Sequence, residues 1–359
     1  MTKPIILNFA CDESGCGILR GYIPNQILSA EYGVTGQYSG IMVSPTAGFI
    51  SDVNLLARTK VIKFQKIVTD PQLKYVQALT KARQDRPDLF TYKFVYDQDD
   101  VMTDMPDYNF GAREFYNKDT AWRECYPQIL KMMDMITVST DFLKEHVKEI
   151  VGDSVPIVVL PNYLPKSIYN KFIDRNEPII YNHKKPRVCW SGSPSHFYGV
   201  NDADLSLIRD LVIMTIDKFD WVFIGALPPF INMNKKLKSK VKFIPWMKNL
   251  YSYPEMFVKE EIDFGLAPLL QNTFNQAKSN LKYLEYCAFQ SVAICTDIDN
   301  YQDCQLKLTN NWKEMGKMIL NLFDDKETRK DILKRQNQFI EKNWFENNLD
   351  KYKEIYQID

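Results

Sequence analysis

Lys278, Lys282 and Glu285 stand at i, i+4 and i+7 within residues 274–288, and Ser279 directly precedes a helical pattern. A helix N-terminus presents unpaired N–H groups and the positive end of its dipole, so this segment is suited to an anion such as a diphosphate. Ser279 is the predicted N-cap, with Asn280 and Leu281 in the first turn. Leu281, Leu284 and Ala288 form the predicted apolar face. Glu285, one to two turns in, can accept hydrogen bonds from the vicinal hydroxyls of a ribose. The same spacing also describes a solvated helix face with an internal Lys282–Glu285 ion pair, and spacing alone does not choose between the two.

A second group stands in the first half. Residues 8–17 run from a strand into a loop holding Gly15 and Gly17, small enough to let backbone approach a ligand, or simply a strand-to-helix turn. Asp97, Asp99 and Asp100 follow the apolar run Phe94, Val95 and Tyr96. Carboxylates this close repel, which predicts a raised pKa for at least one of them and a role for Asp99 and Asp100 as base or ligand of an acceptor. A helix N-cap with solvated acids explains them as well. Asp97-x-Asp99 also has the spacing of a pair holding a divalent cation. That reading leaves the second half of the chain unexplained, and no metal is expected.

Short β-rich runs alternate with helical patterns from end to end, which predicts parallel α/β layers. Strands are predicted at 5–9, 41–43, 61–64, 93–96, 135–138 and 157–160, then at 187–190, 221–224, 241–244, 262–267 and 292–296. Between 161 and 186 the rhythm lapses and prolines stand at 161, 165, 178 and 186, as in a connection. The division expected is a first domain over 1–165, a linker over 166–186, a second domain over 187–335, and a C-terminal helix within 336–359 returning to the first domain. Two such halves place a ligand crevice between their C-terminal strand edges.

The totals narrow the field. A chain of 359 residues suits two domains. Lysine plus arginine and aspartate plus glutamate balance at 45 each, which gives no whole-molecule field toward nucleic acid or membrane. Locally, Lys235, Lys236, Lys238, Lys240, Lys242 and Lys248 interleave with Phe243, Trp246, Tyr251 and Tyr253, a pattern that could follow a nucleic-acid backbone or be a solvated loop. Seven scattered cysteines without a C-x-x-C pair suit buried or free thiols in a reducing compartment, and three distant histidines form no metal cluster. No stretch reaches the roughly 18 apolar residues of a membrane span, and the N-terminal residues lack a signal peptide's apolar region. A soluble, cytoplasmic protein is expected.

Residues 274–288 resemble the retaining GT-B glycosyltransferases with a paired-glutamate motif, above all the subset reading F-N-x-x-K-S-x-L-K-x-L-E-Y-x-A. The likeness extends to Tyr96-Asp97-Gln98-Asp99-Asp100, Val138-Ser139-Thr140, Leu160-Pro161-Asn162, Trp190 through His196, and Asp263 through Pro268. It implies an α/β chain of GT-B type, two Rossmann-like domains facing across a cleft, and transfer of a sugar from a nucleotide-sugar, most simply a UDP-sugar, with retention. No obligatory cofactor is implied beyond that donor. The resemblance further implies that Gly192 and Ser193 approach the diphosphate, that Trp246 lines the nucleobase pocket, that the loop of Gly15 and Gly17 meets the donor with Arg20 near the leaving phosphate, and that Lys282 stabilises the departing group. One departure stands out: the position eight before Glu285, where the pattern has its first glutamate, is Ala277, with Asn275 the nearest replacement.

Gly15-Cys16-Gly17 and Val95-Tyr96 are also similar to elements of the T-even-type phage enzymes that glycosylate hydroxymethylcytosine in DNA. That similarity implies double-stranded DNA containing hydroxymethylcytosine as a partner. A cell-envelope glycan acceptor and a non-catalytic sugar- or DNA-binding relative are the other readings.

Overall fold

In the computed structural model, residues 5–12, 15–32, 35–38, 52–109, 121–197, 201–247, 249 and 251–357 are described. Strands made of Val, Ile and Phe runs are buried on both faces, the pattern that parallel sheets demand. The first sheet holds β1 (Ile5–Phe9), β2 (Thr35–Tyr38), β3 (Thr59–Gln65), β4 (Lys93–Gln98), β5 (Met135–Val138) and β6 (Ile157–Val159), in the order β2-β1-β3-β4-β5-β6. The second holds β7 (Arg187–Gly192), β8 (Asp220–Gly225), β9 (Lys242–Pro245), β10 (Phe264–Ala267), β11 (Val292–Thr296) and β12 (Leu306–Leu308), in the order β12-β11-β10-β7-β8-β9. All of these pairings are parallel.

The strand order reverses direction between β1 and β3 in the first sheet and between β7 and β10 in the second. Crevices for ligands open at the C-terminal ends of strands at such switch points. The loops after β1 and β7 therefore border the two crevices.

Residues 41–43 lie outside the described residues. β2 and β12 were not predicted, because Thr-Gly-Gln-Tyr is polar and Leu-Lys-Leu is only three residues long at a sheet edge.

Helices cover both faces of each sheet. On one face of the first, Val76 and Leu79 from Asp70–Asp85, Ile129 from Ala121–Lys131 and Leu143 from Asp141–Val151 pack on Phe9, Phe64 and Phe94. Each large apolar side chain so buried contributes about 1.5–3 kcal/mol. The other face is covered by Leu28 together with Phe345, Tyr352, Ile355 and Tyr356, so the helix Leu349–Tyr356 lies on the first sheet. Before it, the helix Lys326–Lys342 runs unbroken through residue 335 and packs on the second sheet. The chain crosses over just after it, where Leu164 bridges to Trp344.

Side chains also cross between the halves. Ala277 is fully buried in the first half's core, and Leu19 and Ile23 join the core of the second. Thr140 Oγ1 donates to the carbonyl of Ala277 at 3.1 Å.

Candidate functional site

A cavity of about 520 Å³ opens where the β1 and β7 loops meet. Gly15, Ile18 and Leu19 line it from the first half. From the second come Gly192, Gly225 and Ile224 at strand ends, Trp246 after β9, and Leu281, Lys282 and Glu285 from the helix Leu281–Ala288. The wall is thus mostly apolar or backbone, with one charged pair.

That pair is fixed from several sides. Lys282 Nζ lies 2.9 Å from Glu285 Oε2 and donates to Ser191 Oγ at 3.1 Å. Glu285 Oε1 accepts from the Tyr169 hydroxyl at 3.5 Å. Burial, and then the charge of Glu285, push the Tyr169 hydroxyl pKa well up, so it stays a donor. Ser191, Tyr169 and Tyr253, which also lines the cavity, were not predicted as site residues. Tyr169 sits in the proline-rich connection, where no helical or strand period points to it.

Three expectations for this segment are corrected. Ser279 is not the N-cap: the helix begins after Asn280, which makes no side-chain cap, and Ser279 Oγ instead accepts from Asn162 Nδ2 at 2.7 Å across the cleft. Lys278 ends the preceding short helix Thr273–Ala277 in extended conformation, so it does not share a helix face with Lys282; its ammonium lies 4.8 Å from the centre of the Phe274 ring. Asn275, the nearest candidate for the missing carboxylate, is fully buried and donates to Tyr108, Asp204 and the carbonyl of Leu270. Lys278, Ser279 and Asn280 stand beside the cavity rather than in its lining.

Gly192 reaches the lining, while Ser193 turns back to cap the short turn Pro194–His196. Trp246 is half exposed at the mouth. Gly17 does not line the cavity, but a side chain there is impossible: a Cβ would lie 1.9 Å from the Asp12 carbonyl oxygen, whose side chain receives the Gly17 N–H at 3.0 Å. The helix that starts at Gly15 contains a π turn, Ile18–Tyr22, which carries Arg20 inward.

Arg20 is accordingly not placed to meet a phosphate. Its guanidinium is buried and spent: Nε and Nη2 donate to Asp97 at 3.0 and 2.7 Å, and Nη1 donates to the Leu160 carbonyl and to Asn162 Oδ1. Lys63 Nζ adds a second cation 3.5 Å from Asp97. Burial alone would raise the Asp97 carboxyl, yet Arg20 and Lys63 hold it well below the usual carboxylate range. The raised pKa expected in this cluster is therefore corrected for Asp97, and for Asp100 too, where Lys66 and Lys278 outweigh burial.

Asp99 and Asp100 share Lys66, whose ammonium is 2.5 Å from one and 2.6 Å from the other. With Cys16 they form the one group of potential metal-ligand atoms, within 4.8 Å of one another, found among the described residues. Asp97 is neutralised by two cations and cannot complete a D-x-D pair, and the Lys66 ammonium already provides the charge a cation would bring. Titrating Mn²⁺ into the protein is expected to give no saturable heat up to millimolar concentration. A stoichiometric site that disappears in Asp100→Asn would overturn this.

Two lysines of the basic stretch meet carboxylates, and a third meets a neutral amide. Lys240 pairs with Asp217, Lys242 with Glu260, and Lys238 with Asn232; Lys248 lies outside the described residues. No helix among the described residues is long and apolar enough to cross a membrane.

Two parallel α/β halves, facing across a cleft whose lining comes from the switch-point loops of both, define the GT-B fold. Solved structures agree over nearly the whole chain. An α-glucosyltransferase in complex with UDP and a 13-mer DNA containing an HMU base is 13% identical, with TM-score 0.64 and 99% of each chain covered. Sucrose-phosphate synthase from Thermosynechococcus elongatus is 11% identical, with TM-score 0.63, covering 99% of this chain and 98% of that one. Alr3699/HepE from Anabaena in complex with UDP-glucose is 10% identical, with TM-score 0.62 and 97% of each covered. No protein-family model matches the sequence, and no curated protein is similar to it in sequence.

Proposed function

We propose that the protein is a glycosyltransferase that takes a sugar from a UDP-sugar and transfers it, with retention, to a hydroxyl presented at the first half's side of the cleft. The observation that carries this is the cavity itself: an apolar and backbone-lined slot with Lys282 and Glu285 fixed in its wall. Glu285 suits the ribose diol, and Trp246 suits one face of the base. Gly192 lets a diphosphate approach backbone, and Lys282 and Lys278 offset the charge that develops on it as the bond to the sugar breaks. Likeness in fold to proteins solved with UDP or UDP-glucose supports the choice of donor. On this reading residues 1–165 carry the acceptor and 187–335 the donor, and Asp99 and Asp100 accept the hydrogen bond of the acceptor hydroxyl.

The acceptor proposed is a hydroxymethylated pyrimidine in double-stranded DNA. Its support is the fold likeness to the α-glucosyltransferase solved with HMU-containing DNA. Lys240 and Lys242, paired with Asp217 and Glu260, lend it none.

Incubation with UDP-glucose, UDP-galactose and UDP-N-acetylglucosamine, each against hydroxymethylcytosine DNA, unmodified DNA and a lipid-linked glycan, tests this by mass spectrometry of products. Transfer to modified DNA alone is the expected result. Transfer only to the glycan would move the acceptor to the cell envelope. UDP-sugar binding without turnover on any acceptor would make the chain a binding relative, and a β-linked product by NMR would remove retention.

A further inference from the structure

We propose that His196, oriented by Asp204, selects the transferred sugar by accepting a hydrogen bond from one of its hydroxyls through Nε2. The proposal rests on the donor reading above and gives a role to a residue outside the segment 274–288.

The geometry begins at Asp204, which is fully buried and saturated. Its Oδ1 accepts from the Leu270 N–H at 2.8 Å, from Asn275 Nδ2 at 2.9 Å and from the Tyr108 hydroxyl at 3.3 Å. Its Oδ2 faces His196 Nδ1 at 2.8 Å. Against burial, the hydrogen bond from His196 holds this carboxyl below its ordinary range, so it is an acceptor only. The ring nitrogen facing it must therefore carry the proton, which leaves the lone pair of a neutral imidazole on Nε2.

The Cδ2–Nε2 edge of the ring stands beside Gly192. A Cβ placed on Gly192 would stand 3.2 Å from His196 Cδ2, the carbon bonded to Nε2, and Gly192 lines the cavity. Trp190 holds the ring edge-on, with centroids 5.8 Å apart. Tyr108 belongs to the first half, so the dyad is fixed from both sides of the cleft.

The neutral form is the favoured one. Burial, and after it the charge of Lys278, push the imidazole pKa down, with Lys282 adding to this and Asp204 opposing it. Asp100 lies across the cleft within electrostatic reach. A neutral Nε2 lone pair repels phosphate oxygens and attracts a hydroxyl proton, which assigns it to the sugar and not to the diphosphate.

Calorimetry on the full chain separates these possibilities by comparing UDP with the tightest binder among UDP-glucose, UDP-galactose and UDP-N-acetylglucosamine. In His196→Ala, UDP affinity should stay within about twofold while the UDP-sugar weakens roughly tenfold, the worth of one hydrogen bond. His196→Gln, which keeps a polar group beside Gly192, should recover much of the loss, and His196→Phe, which keeps a flat ring against Trp190 but no acceptor, replaces the alanine variant if that one melts at lower temperature. Equal weakening of UDP and UDP-sugar, or no change in either, overturns the proposal. A wild-type protein that binds neither ligand overturns the donor reading instead.

Discussion

Replacing Glu285 with alanine is expected to weaken UDP binding roughly tenfold to a hundredfold, measured by calorimetry. Hydrogen bonds to a charged group contribute about 1.5–3 kcal/mol each, and every 1.4 kcal/mol is a factor of ten in affinity. The change also frees the Lys282 ammonium and the Tyr169 hydroxyl, both of which the carboxylate now holds. Glu285→Gln retains the shape and one acceptor and should lose less. A melting temperature within a few degrees of wild type would show that the effect belongs to the site. Unchanged UDP affinity in Glu285→Ala would remove this residue from donor binding and leave its burial a matter of packing.

The largest effect on stability is expected from Asp97→Asn. The carboxylate is fully buried and receives Arg20, Lys63 and the Thr137 hydroxyl, the last at 2.7 Å. Neutralising it leaves two buried cations without a counter-charge, which costs about 3–5 kcal/mol. With a urea slope of about 3 kcal/mol/M, the upper end of the usual range and fitting for a chain of this length, the midpoint should fall by roughly 1–2 M. The pH dependence has the same origin. Because the folded pKa of Asp97 is depressed, its contribution is complete above the unfolded value near 3.9 and is lost as pH falls below that toward the folded one. Wild type should therefore lose stability in acid more steeply than Asp97→Asn. Equal urea midpoints for the two proteins would contradict this account.

The fold was legible where a strand's own composition decides it. β1, β5 and β11 begin and end where their apolar runs do, because strands buried on both faces tolerate few polar residues. The site was legible only in part. Lys282 and Glu285 face the cavity because helical spacing keeps them together from Leu281 onward. Lys278 and Ser279 fall outside the helix, where Asn162 holds Ser279 and Thr140 holds the carbonyl of Ala277 just before them, both from more than a hundred positions away. Arg20 reads as a loop cation near a glycine turn, and nothing local reveals that Asp97 and Asn162 will claim it. A signal for that network did exist: Lys63 interrupts the apolar run of Val61, Ile62 and Phe64 in β3, and a lysine buried there must bring an anion with it. His196 and Asp204 are eight residues apart, a spacing that has no meaning until the loop folds back on Trp190.

The helix Leu349–Tyr356 covers a face of the first sheet, and that has a consequence for synthesis. The first half's strands are complete once β6 has been made, yet the part of the face of Ile6, Val61 and Val95 that Leu28 does not cover waits for Tyr352 and Tyr356, nearly two hundred residues later. At about 5–20 residues per second, translation leaves that apolar surface waiting on the order of tens of seconds. Nascent chains should therefore bind holdase chaperones through this face until residues 349–356 have emerged and docked on it.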